Sequence, residues 1–442
     1  MSADARTGLA ARIGREYAEN WAGAETRSGA ERRQRALEAL LSRGLPSSRD
    51  ENWKYANLRC LERARFAAPH VDSSRQISIA TLPPAIAGYA RYTFADGRLL
   101  EPAAHSLDKP SAGLLTTLAA ETSAPALEAL SAPEEADPDT RFALLNEAFA
   151  ADGALIRVPA SGGAAARIEL VFVSVADAQS GASHPRVQVQ LEPDACLDLI
   201  ERHVSSGSGG GFVNSAVQVA LGAGATLNHY RVQQLGARAL WFDTLLADLA
   251  ARATYRTHCA AVGAQCARST SQVRLSGEGA QLGLQVVSVG DHHQVLDGYA
   301  RVEHAAPQAR TQQIFRGIAA GRARVAFNGK VVVRAGAHHS DSSQSLRGLL
   351  AGPEAEIDVR PQLEIYTDEV RCSHGATAGK LDESMLFYLL TRGLAPEAAQ
   401  RLLKWAFLED VVARIEIAEL RRQIEASLAG QMRAADALQE LF

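Results

Sequence analysis

Hydrophobic and polar residues alternate with a period of two through the middle of the chain. The alternation is clearest in segments 155–158, 168–173, 187–191, 217–221, 287–289 and 331–333. A period of two places successive side chains on opposite faces of an extended strand. The pattern persists over about 200 residues with no helical segment inside it, so we predict a β-rich middle region.

A second, longer period organises these predicted strands. A small turn, usually containing Gly or Pro, precedes an alanine that starts a strand. This happens at Ala166, Ala195, Ala225, Ala253, Ala280, Ala309, Ala337 and Ala355. The steps are close to 28 residues except for the last, which is 18. A constant step is typical of a solenoid whose coils cover one another, which here would be a β-helix. The alternative is a chance register in an alanine-rich chain.

Both ends of the chain have a helical pattern instead. We expect helices in segments 30–41, capped by Ser28, and 139–151. Further helices are expected in segment 382–392, closed by Gly393, in a long amphipathic segment from Pro396 to about residue 428, and at the last residues. The fold class is therefore mostly β with helical termini. The predicted domains are a mainly helical 1–151, a β-helix core 152–377 and a helical 378–442.

Composition and charge narrow the classes of function. Hydrophobic residues make up 47% and charged residues 22% of the chain, with a formal net charge of −4. That balance is ordinary for a globular protein and lacks the basic surplus of a nucleic-acid binder. No run of 18 apolar residues and no apolar signal-peptide core is present, so we expect a cytoplasmic protein without a membrane span.

The sequence also lacks the motifs of nucleotide binding and of common hydrolases. Gly329-Lys330 and Gly379-Lys380 lack both the upstream Gly and the following Ser or Thr of a phosphate-binding loop. No GxSxG, HExxH or well-placed GxGxxG occurs. We therefore expect a chain that is not an enzyme and binds no nucleotide, so that any ATP would be used by another subunit.

The five cysteines include no CxxC pair. They stand at Cys60, Cys196, Cys259, Cys266 and Cys372. Such wide, irregular spacing argues against a zinc knuckle and against a self-contained iron–sulfur cluster. We expect most of them to be small buried apolar residues.

Cys372 and His374 form the candidate site. On a strand, positions two apart project to the same face, so a thiolate and an imidazole would lie side by side. Such a pair suits iron, zinc or copper(I), but a cluster usually needs four ligands, and a partner would have to supply the rest. The alternative is that Cys372 packs inward while His374 bonds a carbonyl. The adjacent pairs His292-His293 and His338-His339 are expected to point to opposite faces of strands and to have no ligand role.

The most specific runs of residues 310–410 are PQLEIY at 361–366 and CSHGAT at 372–377. With them, this segment resembles the SufB/SufD family of iron–sulfur assembly scaffolds. Upstream, WKY at 53–55 and LLNEAF at 144–149 resemble the SufD branch of that family. Chains of the SufB branch carry Glu directly after the matching histidine, whereas Gly375 follows His374 here.

The resemblance implies a right-handed parallel β-helix that pairs with a SufB-like subunit. It also implies docking of a SufC-like ABC ATPase on the C-terminal helices, for which Leu402, Leu403 and Phe407 are the candidate residues. A transient iron–sulfur cluster would form at the SufB-like interface, with His374 associated with its formation and Cys372 in the same motif. Leu403 and Phe407 are equally compatible with an intramolecular core. The isolated chain could also form a homodimer, and the sequence does not decide between a homodimer and a heterodimer.

Three other functions are alternatives to a scaffold with a shared metal site. One is a purely structural docking subunit in which Cys372 and His374 only shape the interface. Another is a β-helix enzyme acting on polysaccharide, which should show a cluster of Asp, Arg or Lys and a secretory signal, and neither is evident. A hexapeptide-type acyltransferase would need a coil of about 18 residues, which the repeat does not match.

Overall fold

The computed structural model describes residues 3–21, 29–68, 77, 82–100, 114–119, 138–160, 165–175, 181–206 and 210–432. The α-helices are α1 (Ala3–Asn20), α2 (Ala30–Arg43), α3 (Arg141–Phe149), α4 (Glu383–Thr391), α5 (Pro396–Val412) and α6 (Ala418–Gln431). Short 3₁₀ helices cover Glu51–Trp53, Leu58–Glu62 and Pro138–Thr140. None of the helices in these ranges is long and apolar enough to cross a membrane.

Twenty strands make up the β part of the described chain. They are β1 (Ala90–Ala95), β2 (Arg98–Leu99), β3 (Leu115–Thr117), β4 (Ala154–Val158), β5 (Ala166–Ser174), β6 (Ala182–Ser183), β7 (Arg186–Leu191), β8 (Cys196–Ser205), β9 (Phe212–Leu221), β10 (Thr226–Gln234), β11 (Leu240–Leu249), β12 (Thr254–Ala261), β13 (Cys266–Leu275), β14 (Gln281–Gly290), β15 (Val295–His304), β16 (Arg310–Ala319), β17 (Arg324–Val333), β18 (Asp341–Leu350), β19 (Glu356–Ile365) and β20 (Arg371–Gly379).

Two ten-stranded sheets face each other across one elongated core. Sheet A runs β2-β1-β5-β8-β10-β12-β14-β16-β18-β20, and sheet B runs β19-β17-β15-β13-β11-β9-β7-β4-β3 with β6 beside β9. From β7 onward successive long strands alternate between the sheets and pair in parallel, so the chain coils through about seven turns. The predicted parallel β-helix is confirmed, and each of the six alternating segments lies in a strand. The division into three domains stays a prediction.

Buried alanines at the corners explain the repeat. Six of the predicted alanines lie fully buried just ahead of strands of sheet A: Ala195, Ala225, Ala253, Ala280, Ala309 and Ala337. A methyl group fills each corner where the turns stack closely. Ala355 was wrongly placed in this series, because it precedes β19 of sheet B. The last step is short because it runs from a corner before sheet A to a corner before sheet B. Ala239 and Ala323 lie at equivalent corners before strands of sheet B.

The N-terminal helices cover the outer face of sheet B. All nine residues of α3 are buried, and its aromatic side chains join those of β9 and β11 in one apolar cluster. Phe142 stacks on Phe242 at 4.5 Å between ring centroids. The helix expected in segment 139–151 is thus confirmed as a central element. Ser28 and the last ten residues lie outside the described ranges, so the predicted cap and the predicted terminal helix remain predictions.

The single long helix predicted from Pro396 to about residue 428 is wrong, because the chain breaks at 413–417 into α5 and α6. The buried Ile415 lies in this connection. Both helices pack on the side of sheet A, α5 against β14 and β16 and α6 against β14. Both helices bury apolar residues against the same sheet, so the apolar stripe in the sequence continues through the break. The sequence pattern therefore does not indicate where one helix ends and the next begins.

Helix α4 agrees with its prediction. The Asp382 carboxylate accepts hydrogen bonds from the backbone N–H groups of Ser384 and Met385 at 2.8 and 3.1 Å. Gly393 follows the helix with φ +91°, a left-handed conformation that favours glycine. The strands β19 and β20 form the last coil, and no described coil lies beyond it.

Candidate functional site

Cys372 and His374 lie on β20, the last strand of sheet A. In the parallel register Cys372 is opposite Ser342 and His374 is opposite Gln344 of β18. The two side chains share one face of the strand, as the spacing predicted.

Both side chains continue ladders that run inside the solenoid. The ladder behind Cys372 consists of Ser342, Thr311, Leu282, Tyr255 and Leu227. The ladder behind His374 consists of Gln344, Gln313, Leu284, Thr257 and His229. Every one of these ten residues is buried. Cys372 and His374 therefore face the interior, and they are accessible because no described coil follows β20.

The two candidate residues differ in burial. Cys372 is half-buried and packs against the apolar interior, whereas His374 is exposed. Burial raises the pKa of the Cys372 thiol and the nearby Asp341 carboxylate adds to this, while a backbone hydrogen bond with Ser342 opposes them. A thiolate at Cys372 would need an added positive charge, which a metal ion supplies when it binds.

Strand β19 forms the other wall of the open end. Its inward side chains continue the buried ladders of β17, so that Ile357 follows Val325 and Val359 follows Phe327. Where the coil ends, these apolar groups lose their cover. The open end is therefore apolar along sheet B and carries the thiol and the imidazole along sheet A.

A group of exposed large apolar side chains lies at the end of β19 and on α4, the helix that follows β20. We call it the open-end patch, and it consists of Ile365, Tyr366, Met385, Phe387, Tyr388 and Leu390. Phe387 is the most exposed, at 68%. Within the described residues Leu41 is the one other exposed large hydrophobic residue. A concentration of this kind is typical of a protein–protein contact surface.

Over the described ranges no group of three or more His, Cys, Asp or Glu residues is arranged to hold a metal ion. A metal site at the open end would therefore need ligands in addition to Cys372 and His374.

The adjacent histidine pairs lie in turns, so their predicted placement in strands is wrong. His292 lies in the turn between β14 and β15 and His339 in the turn between β17 and β18, with φ of 55° and 58°, and both are exposed. His338 Nδ1 lies 3.1 Å from Thr367 Oγ1. The corner turns require a residue in the left-handed region, and polar residues accept it more readily than branched ones do.

Sequence reasoning missed a buried charged network between the two sheets in the middle coils. Glu201 lies 2.6 Å from His203, 3.0 Å from His229 and 3.0 Å from Arg231. Arg231 also donates two hydrogen bonds of 2.8 Å to Asp243. These polar groups are 0–5% exposed, so the network replaces the water that they would otherwise bind.

Mutual charge compensation fixes the protonation states in this network. Burial alone would raise the pKa of Glu201, yet Arg231 and the two histidines hold it well below its usual range. Burial alone would lower the pKa of Arg231, yet Asp243 and Glu201 hold it well above its usual range. The pKa of His229 is lowered by burial, which its hydrogen bond to Glu201 opposes.

An internal cavity of about 50 Å³ adjoins the network. Arg231, Trp241, Cys259 and Tyr299 are among its lining residues. Burial raises the pKa of the Cys259 thiol. The signal that could have found the network is the coil period, since Glu201 and Arg231 are one coil apart, as are Ser215 and Asp243.

The three predicted docking residues lie on α5. Leu402, Leu403 and Phe407 are each half-buried. Phe407 packs against an apolar cluster that includes Trp405 and Leu408. The ATPase-docking role of these residues stays a prediction.

Comparison with known proteins decides the family. The family model described as SUF system FeS cluster assembly, SufBD core domain, matches residues 173–407, which is more than half of the chain. The chain belongs to the SufB/SufD family. The family is assigned to iron–sulfur cluster assembly by the SUF system, and its matched region includes β20 and most of α5.

Individual relatives agree with the family match. The chain is 27% identical over 415 residues to the iron–sulfur cluster assembly protein SufD of Escherichia coli, covering 90% of this chain and 92% of that protein. It is 27% identical over 404 residues to an iron–sulfur cluster assembly SufBD family protein of Synechocystis, covering 89% of each. The predicted resemblance to the family is confirmed.

Proposed function

We propose that this chain is a non-ATPase scaffold subunit that supplies Cys372 and His374 to an iron–sulfur cluster assembled at an interface with a SufB-like partner. The observation that carries the proposal is the termination of two buried ladders at these residues. Every equivalent side chain in the preceding coils is covered by the next coil. A partner that covers the open end would enclose Cys372 and His374.

The chemistry of the pair supports this role. A thiolate and an imidazole are ligands for iron, and two ligands leave the remaining positions of a cluster to the partner. The raised pKa of Cys372 keeps the free thiol protonated, so a cluster would form with release of that proton. The cluster is the cargo of the assembly, not a resident cofactor of this chain.

The open-end patch supports a protein partner on the same surface. Its side chains combine large apolar area with aromatic rings, the composition of the centre of a stable interface. We assign this surface to a SufB-like subunit in a heterodimer. A homodimer through the same surface is the alternative when the chain is isolated. In a purely docking subunit, this interface would form with no ligand role for Cys372 or His374.

Replacement of His374 tests the ligand role. His374→Ala in the purified complex should lower cluster formation on anaerobic reconstitution by at least about tenfold, because a ligand is lost. The complex should still assemble, since His374 is exposed and its removal leaves no cavity. Iron and sulfide content with visible absorbance would report the cluster, and size-exclusion chromatography the assembly.

A neighbouring residue provides the matched control. Ser373→Ala changes the same strand on its opposite face and should leave cluster formation unchanged. If His374→Ala builds clusters as well as the parent does, the shared-ligand proposal fails and the purely docking function stands.

We assign ATP binding to a separate SufC-like ABC ATPase that docks on α5. Leu403 and Phe407 are half-buried on this helix, which leaves part of each side chain for a partner. Leu403→Asp together with Phe407→Asp should abolish co-purification of the ATPase. Leu402→Asp tests the adjacent position. Retention of the ATPase by variants whose melting temperature is unchanged would contradict this assignment.

A further inference from the structure

Two cysteines meet where the N-terminal region contacts sheet B. Cys60 lies on the 3₁₀ helix Leu58–Glu62, and Cys266 is the first residue of β13. Their thiols share one acceptor, the carbonyl oxygen of Asn57, at 2.8 Å from Cys60 Sγ and 3.4 Å from Cys266 Sγ. Both sulfur atoms therefore contact the same oxygen atom, and the Cys60 thiol is the largest influence that raises the pKa of Cys266. The fold therefore brings together two sulfur atoms that are distant in the sequence.

The two thiols differ in access to solvent. Cys266 is 1% exposed within the apolar cluster beneath the N-terminal helices. Cys60 is half-buried at the margin of that cluster and borders an open groove of about 820 Å³. A small molecule in the groove can reach Cys60 and not Cys266.

The groove has a mainly basic lining. Arg59 and Arg63, which flank Cys60 in sequence, line it together with Arg238, and among the described lining residues Glu62 is the acidic one. Arg59 and Arg63 are exposed. Guanidinium groups bind carboxylates well, so the groove suits a small anionic ligand rather than a cationic one.

We propose that Cys60 and Cys266 are a redox-active pair that closes to a disulfide by exchange with a small anionic disulfide of the glutathione class bound in the groove. Two thiols that contact the same carbonyl oxygen, one accessible and one buried, provide the attacking and the resolving sulfur. The cluster site proposed at the open end is not involved, because β13 lies several coils away from β20.

The exchange takes two steps. The Cys60 thiol loses its proton to water and its sulfur attacks one sulfur of the bound disulfide. A Cys60 mixed disulfide forms, and the other half leaves as a thiolate that takes up a proton. Cys266 then loses its proton and attacks the Cys60 sulfur, which releases the second small thiol. Overall, two protein thiols are oxidised to one disulfide, and one small disulfide is reduced to two thiols.

The protonation state of Cys266 before the reaction agrees with this order of steps. The hydrogen bond with Cys60 is the largest cause that raises the pKa of Cys266 well above its usual range, and burial adds to it. Cys266 therefore stays protonated until the mixed disulfide removes the Cys60 thiol from contact. The completed bond would join the 3₁₀ helix covalently to sheet B and constrain the chain between them.

Oxidised glutathione is the probe for the test. The full-length protein, treated with it and then alkylated, should lose two hydrogens in intact mass and give a linked Cys60–Cys266 peptide on non-reducing digestion. Oxidation should raise the melting temperature, and dithiothreitol should reverse the increase. Cys60→Ser and Cys266→Ser should each abolish the linked peptide, whereas Cys196→Ser, which removes another half-buried thiol, should not.

The variants also separate the two steps. Cys266→Ser should accumulate the Cys60 mixed disulfide with glutathione, because the resolving thiol is absent. Arg59→Glu with Arg63→Glu should slow disulfide formation by oxidised glutathione about tenfold at low ionic strength. The same variant should react with the neutral 2-hydroxyethyl disulfide at the parental rate.

Several outcomes would overturn the proposal. The first is that the parent protein forms the mixed disulfide but no internal disulfide. The second is that the linked peptide contains another cysteine. The third is that the Cys60→Ser variant still loses two hydrogens. Equal slowing of both disulfides by the arginine substitutions would refute the anionic recognition.

Discussion

The middle coils and the last coil carry the same inward-facing ladders in different surroundings. His229 and His374 belong to one ladder, separated by four intervening strands of sheet A. His229 is fully buried and lies 3.0 Å from both Glu201 and the Tyr255 hydroxyl. His374 occupies the corresponding position where the solenoid ends, and it is exposed.

The comparison teaches that position along the solenoid separates a stabilising histidine from one available to a ligand. In the middle, neighbouring coils satisfy each polar group and exclude water. At the end, the same inward direction leads out of the protein. Substitutions in the middle should therefore change stability, and substitutions at the end should change assembly.

The largest effect is expected at Arg231. Arg231→Ala leaves Glu201 and Asp243 buried without their shared cation and should lower the free energy of unfolding by about 3–5 kcal/mol. Chemical denaturation would measure the change. The matched control is Arg256→Ala, an exposed position on β12, for which a change below about 0.5 kcal/mol is expected. Similar losses for both variants would contradict the contrast between interior and surface.

Acid should destabilise the folded protein through its buried histidines. Burial lowers the pKa of His184 and of His304 to about 4. In the unfolded chain each would take up a proton below about pH 6.5. The unfolded state then binds more protons between these values, so stability should fall as the pH drops from about 6.5 to 4, by about 3 kcal/mol for each histidine.

Variants isolate the contribution of one buried imidazole. His184 Nε2 lies 2.7 Å from the Phe66 carbonyl oxygen, and the glutamine amide of His184→Gln can keep a donor there. Unfolding measured across this pH range should show a shallower slope for the variant. A slope identical to that of the parent would exclude His184 as a source of the acid sensitivity.

The two histidines of the shared ladder give the smallest and sharpest contrast. His229→Ala should cost about 2 kcal/mol, because Glu201 and Tyr255 each lose a buried hydrogen-bond partner. His374→Ala should change the free energy of unfolding by less than about 0.5 kcal/mol. Equal destabilisation of the isolated chain by His374→Ala and His229→Ala would contradict the difference between the last coil and the middle coils.

Much of the fold could be predicted from the local pattern. Period-two alternation identified strands, and corner alanines revealed the coil length because each stacked turn excludes a larger side chain. Asp382 and Gly393 marked the ends of α4 through local backbone preferences. The shared face of Cys372 and His374 followed from strand geometry alone.

Other features escaped prediction because they depend on which coils become neighbours. Ala355 lies at a corner that leads into sheet B, although its sequence context matches the corners that lead into sheet A. The break between α5 and α6 carries no local signal, and the histidine pairs belong to turns. The Glu201 network and the Cys60–Cys266 contact join residues from separate coils or regions.

The sequence by itself determined a coiled β-structure with helical ends and placed Cys372 and His374 on one face of its last strand. These are consequences of backbone periodicity, which neighbouring residues set. The tertiary structure decided that this face points inward, that the last coil is uncovered and that Cys60 meets Cys266. Those outcomes depend on coil stacking and on the positions of the flanking helices, because burial is a property of what packs on a residue and not of the residue itself.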